Sequence, residues 1–502
     1  MKARVPHPFV VYASQFTLDS MIHAICYWAK EIAHSPEQKN NYGFSAEQKY
    51  SITINKKILN NKVQLIQTWL IDMLYYIICM NNYGEKYIQP NEALHLICLY
   101  NDFADTIEAK NIRYKKDIIL YVLGFFGEQS RFQAACIFFE EFAREKHIMD
   151  VISYITPKEK TYGIDVKKEI QEEIDFSTDE YSAILLCLWG LFSRTSLIVN
   201  ESFLKEKVKY NNPLFSTENL LNVISKNSIN IEEIRCSPLG RQVFYTKPII
   251  KIGENYIASN PYLLLSLFAS SNYWIMRNKY YKKGSQDFIN AFGYYFETYL
   301  DEVMDSCLPK DSYTRISEDN NEKRADLHIK LGQFDLLVEQ KSALSLLGIK
   351  QSHPDVASMK SHMIKNWSKA IKQLKCTQNY LQLKNPIKIV LVYEDYYKSK
   401  CLDELFLIDS KISNDNKYWL LSIGEFENLL YLYKINPELA LRIIEKKDRI
   451  ETTKSYGERD LKQLFYTYDI ESNLYLKNSS IYNEQFERIK NFCLSREAQT
   501  IT

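Results

Sequence analysis

The chain has 502 residues, 46% of them hydrophobic and 25% charged, and its 63 Lys and Arg nearly cancel 62 Asp and Glu to a formal net charge of +1. Such a length exceeds one ordinary core and implies two to four domains, while the neutral balance means that any polyanion site must be a local one. Ten scattered Cys, never spaced C-x-x-C, and eight dispersed His argue against a disulfide framework, a zinc cluster or haem, and for reduced core cysteines.

The amino-terminal MKARVPHPFVVYASQF carries Pro6 and Pro8 and lacks the apolar run of an export signal. The best membrane candidate, AILLCLWGLF, is too short to span, so a cytoplasmic chain with no membrane partner is expected. Residues 1–215 hold long aromatic-rich segments of helical period, among them TLDSMIHAICYWAKEIA, VQLIQTWLIDMLYYIICM and NEALHLICLYNDFADTIEA, with no strand run of comparable strength. They predict a helical recognition or regulatory domain, without a Gly-rich phosphate loop, a paired-His motif or a nucleophile elbow. Residues 216–244 read as a small, mainly helical connecting segment. From Pro248, PIIKIGENYIASNPYLLLSLF reads as strand, turn, strand and a helix entered through Asn260-Pro261. QDFINAFGYYFETYLDEV follows as an amphipathic helix with Phe288, Phe292, Phe296 and Leu300 in its stripe and Glu297 beside it. ADLHIKL and FDLLVEQK read as strands around a Gly332-Gln333 break. After them come a lysine-rich helix, KNWSKAIKQLKCTQNYL, and the strand IKIVLVY. Glu394 and Asp395, which follow it, read as turn formers, with a second metal site the lesser alternative. The last core elements are the strand KYWLLS and a helix from Ile423. Beyond 435 the pattern predicts a helical extension starting at Asn436-Pro437, broken near Asn478–Ser480, with SREAQTIT loose at the end.

The stretch 324–342, RADLHIKLGQFDLLVEQKS, carries the chemistry. On a strand, side chains two apart share a face, so Glu339 and Lys341 act together, and a hairpin returns Asp326 to their side. Two converging carboxylates suit a hard cation such as Mg2+, and a neighbouring lysine can orient the attacking water and offset charge on a phosphoryl transition state. From Lys341 to Val390 there are nine Lys against the single acid Asp355, with His353 and His362 as further basic groups. Lys365, Lys369 and Lys372 fall on one helix face, and Ile364, Trp367, Ile371 and Leu374 offer apolar contacts to the sheet. That face predicts contact with nucleic-acid phosphates, without base preference.

In order and spacing these residues resemble the PD-(D/E)XK nuclease superfamily, over about residues 245–432. Asp326 matches the aspartate of the second core strand, Glu339 and Lys341 the (D/E)-x-K pair, Glu297 the helix acid and Gln373 the glutamine of the following helix; Ala325 stands where the family's proline is often found. The resemblance implies a multidomain α + α/β chain, in which residues 245–434 form a restriction-endonuclease-like core with a central mixed β-sheet flanked by helices and residues 435–502 a helical extension. It implies an Mg2+-dependent endonuclease, Mn2+ also serving, with Asp326, Glu339 and Glu297 as metal residues, Lys341 and Gln373 as further catalytic residues, and Lys365, Lys369 and Lys372 on nucleic acid. DNA is expected over RNA, with a protein regulator or trigger and a role in defence against foreign nucleic acid. The alternative is a nucleic-acid-binding or scaffolding protein with an inactive core. Oligomeric state is not readable.

Overall fold

A computed structural model of the chain describes all residues except 1–6, 35–45, 55–56, 112–117, 133–134, 212–214, 318–322, 346–348, 351–354, 414–417, 454–458 and 501–502. His353 and the last two residues of the terminal octet lie outside the described residues. A mainly helical N-terminal region is followed by a mixed α/β region, with two mixed sheets flanked by helices.

The helical expectation for the N-terminal region needs a correction. β1 (Ala46–Ile54) and β2 (Lys57–Leu65) pair antiparallel, in a stretch whose lysines and asparagines dilute the apolar alternation that marks a strand. The segment beginning VQLI is therefore strand first, and turns helical only over Gln67–Ile78. β3 (Ile198–Val199), β4 (Ser228–Asn230), β5 (Ile249–Ile252) and β6 (Asn255–Ala258) form a sheet in the order β3-β6-β5-β4. The β5–β6 hairpin, expected in the site-bearing core, thus pairs with strands on its N-terminal side, one of them in the connecting segment. Asn260 caps the next helix, Pro261–Lys282, by accepting from the Tyr262 N–H at 2.9 Å, and Pro261 sits where no helical donor is needed.

β7 (Tyr313–Arg315), β8 (Leu327–Leu331), β9 (Phe334–Lys341), β10 (Ile387–Val392) and β11 (Tyr418–Ser422) form the five-stranded sheet, in the order β11-β10-β9-β8-β7. β8 pairs antiparallel with both β7 and β9, whereas β9, β10 and β11 run parallel. Gly332, at φ 55°, supplies the left-handed residue that closes the tight β8–β9 turn. The lysine-rich segment crosses from β9 to β10 as Val356–Met363, a π turn and Lys369–Tyr380. β9 is covered on both faces. Leu336 and Val338 belong to the core that holds Phe292 and Phe296, while Leu337 belongs with Trp367, Ile371 and Leu374 of the lysine-rich segment.

The first of these cores runs on without interruption into the N-terminal region, where Phe142 stacks on Phe268 at 4.0 Å between ring centroids. Arg144, on helix Ala135–His147, makes a bidentate pair with Glu427 of helix Ile423–Ile435, both contacts at 2.7 Å. The C-terminal helix Ser480–Thr500 takes in residues 495–500, the first six of the octet expected to be loose. Cys26, Cys307 and Cys401 are free and buried. Among the described residues no helix is long and apolar enough to cross a membrane.

Candidate active site

The register of β8 on β9 sets Leu327 against Val338, so Asp326, just ahead of β8, comes to rest beside Glu339. The Asp326 N–H donates to the Val338 carbonyl at 3.1 Å, and the Gln340 N–H donates to Asp326 Oδ2 at 2.7 Å. Lys341 Nζ donates to Glu339 Oε1 at 2.5 Å and to Gln373 Oε1 at 3.4 Å. Helix Lys369–Tyr380 also pins the chain that leads into Asp326: Gln373 Nε2 donates to the Arg324 carbonyl at 3.1 Å, and Thr377 Oγ1 accepts from the Ala325 N–H at 2.7 Å. A proline at 325 would forfeit the second bond, which gives Ala325 a physical reason. On the other side, Arg315 of β7 donates to the Glu297 carbonyl at 2.8 Å and pairs with Asp301 at 2.7 Å, fixing helix Asp287–Cys307 against the sheet.

Glu297, Asp326, Glu339, Lys341 and Gln373 line one open cleft of about 1000 Å³, and Lys365, Lys369 and Lys372 line it with them. All eight residues expected from the sequence are therefore brought together. The three lysines of the row are exposed. Sequence reasoning missed Tyr162, Tyr294 and Lys323, which also line the cleft. Tyr294 lies one helical turn before Glu297 and was legible in principle, whereas no local pattern brings Tyr162 here from the N-terminal region. Glu394 and Asp395 are neither mere turn formers nor part of this cleft. Glu394 is a buried partner of Lys350, and Asp395 a half-buried partner of Lys462, on a separate cavity of about 110 Å³.

Glu339 is only 2% exposed. Burial first, and then the neighbouring Asp326 carboxyl, push its pKa up to about 8 against the pull of Lys341. Asp326 is raised as well, by burial, against the Gln340 N–H, Lys341 and Arg315. Glu297 is raised by burial, which Asp326 reinforces and Arg315 opposes. Glu339 Oε2 is buried and has no donor among the described residues.

A divalent cation fits this pair, because it would supply the positive partner that the orphaned oxygen and the crowded charges lack. Among the described residues no group of three or more His, Cys, Asp or Glu is placed to hold a metal ion, so Glu297 does not complete a three-carboxylate set. Two carboxylates with the remaining shell left to water and substrate oxygens is how Mg2+ is ordinarily held, and it does not suit zinc. Set against family models, curated proteins and solved structures, the chain matches none of them.

Proposed function

We propose that the chain is a metal-dependent endonuclease of the PD-(D/E)XK type, built on a restriction-endonuclease-like core and acting on DNA in preference to RNA. One observation carries the reading: a buried Glu339 set beside a half-buried Asp326, with a lysine two positions on from Glu339, at the floor of an open cleft rimmed by exposed lysines. Holding the Glu339 carboxyl out of water costs on the order of a few kcal/mol, which a purely structural site would avoid with an apolar side chain.

Asp326 and Glu339 would hold Mg2+ or Mn2+, with Glu297 acting on its water shell, and the ion would supply Lewis-acid polarisation and an activated water. Lys341 orients the attacking water and offsets charge on the phosphoryl oxygens. Gln373 holds the lysine by its ammonium, and the same amide grips the backbone before Asp326. Lys365, Lys369 and Lys372 hold the phosphate backbone without reading sequence. The N-terminal region, which shares a core with this unit, is suited to couple a regulator or trigger to the cleft, as a cytoplasmic enzyme of defence against foreign nucleic acid requires.

The test is cleavage of supercoiled DNA, single-stranded DNA and structured RNA with Mg2+, Mn2+ or EDTA by the protein and by Lys341→Ala and Asp326→Ala. Metal-dependent cleavage that each substitution lowers by about a hundredfold or more is expected. The absence of a three-carboxylate set among the described residues favours one rival, a binding or scaffolding protein with an inactive core. Binding without cleavage under every condition would establish that rival.

A further inference from the structure

We propose that the cleft takes an unpaired polynucleotide strand, with the Tyr162 ring stacking on a base while Lys365, Lys369 and Lys372 hold the backbone. This rests on reading the cleft as a nucleic-acid site. Tyr162 comes from the N-terminal region, on a tight turn closed by the Ile164 N–H donating to the Thr161 carbonyl at 3.1 Å. Its two central residues, Tyr162 and Gly163, have φ of 56° and 70°, the pattern of a type I′ turn, where Asn-Gly is the usual pair and a bulky ring is disfavoured. Thr161 and Ile164 on either side are buried, so the turn is anchored, while Tyr162 stays 47% exposed at the cleft. Beside it Lys160 lies over the ring of Tyr294, 5.0 Å from its centroid. Tyr294 and Glu297 belong to one helix, so this aromatic wall adjoins the carboxylates, and the lysine row comes from another element.

Lysines on phosphates do not distinguish single strands from duplexes. An exposed ring does, because it stacks on base faces that are open in a single strand and covered in a duplex. A cleft that combines the two selects a strand with unpaired bases. DNA and RNA share that chemistry.

The experiment is fluorescence anisotropy of the full chain with labelled single-stranded DNA, single-stranded RNA and blunt duplex DNA in EDTA. Tyr162→Asn keeps a residue that tolerates the left-handed turn but removes the ring, and Tyr162→Trp restores an aromatic face. Tighter binding of a single strand than of the duplex is expected, with about a tenfold loss of single-strand affinity in Tyr162→Asn, none in Tyr162→Trp and no change for the duplex. The responding arm names the sugar. Single-strand affinity unchanged in Tyr162→Asn, preference for the duplex, or no binding at all would overturn the proposal. Parallel Mg2+ digests separate it from the endonuclease reading. Ring-dependent binding with no cleavage refutes the endonuclease alone, and cleavage with ring-independent binding refutes the stacking alone.

Discussion

With the Asp326 and Glu339 carboxyls side by side, both raised by burial, and one Glu339 oxygen lacking any donor among the described residues, the pair has an unmet need for positive charge. Lys341 answers only part of it, through Glu339 Oε1. A cation that binds the folded chain and not the unfolded one stabilises it by mass action, by about 2.7 kcal/mol when present at a hundred times its dissociation constant. Thermal unfolding followed with and without Mg2+ or Mn2+ should accordingly give a higher midpoint with metal. Glu339→Gln keeps the shape and removes a ligand, so its midpoint should not respond. An equal response in the variant would mean that the ion binds elsewhere and that the carboxylates are not its ligands.

The β8–β9 hairpin is the element on which the site depends, since its register alone sets Asp326 beside Glu339. Gly332 holds the turn at φ 55°, and a Cβ there would meet Leu441 Cδ1 at 3.0 Å. Gly332→Ala should cost about 1–2 kcal/mol in urea unfolding, from the left-handed backbone, with any addition set by how far Leu441 yields. A cost below about half a kcal/mol would mean that the turn relaxes. This hairpin was legible in the sequence because strand alternation and a glycine break are local signals, and so were the shared face of Glu339 and Lys341 and the cap at Asn260. Other features depend on partners far along the chain. β5 and β6 have the period of strands, but their sheet is decided by β3 and β4, one of which is two residues long. The β1–β2 hairpin is too polar to stand out beside apolar helices. Tyr162 reaches the cleft through a turn in another region, which no window of sequence can reveal.

At the scale of the molecule, the N-terminal region and the five-stranded sheet are joined by buried charge as well as by apolar core. Glu427 is fully buried and accepts from Arg144, from Tyr299 at 2.6 Å and from Asn473. Arg144→Met should cost about 3–5 kcal/mol by stranding that carboxylate, and adding Glu427→Gln should recover much of it. Recovery of nothing would assign the loss to packing. Glu145, one residue on from Arg144 and also buried, makes no ion pair among the described residues: it accepts from the Tyr273 N–H at 2.7 Å and from Asn272 at 3.2 Å. Burial pushes its pKa up to about 8 from the ordinary 4.5, against those bonds and Lys146. A carboxyl raised in the folded state contributes stability that is complete below the unfolded value and is lost as pH rises through the folded one. Between about pH 5 and 9 this group should therefore remove on the order of a few kcal/mol as the pH climbs. Glu145→Gln keeps an acceptor for Tyr273, and its amide can donate to Asn272 Oδ1, which has no partner among the described residues, once that side chain flips. Urea unfolding across this range should show a shallower fall with pH in the variant and a variant more stable than the parent at pH 9. Parallel curves would mean that Glu145 is ionised throughout, held by charges of the adjoining cavity.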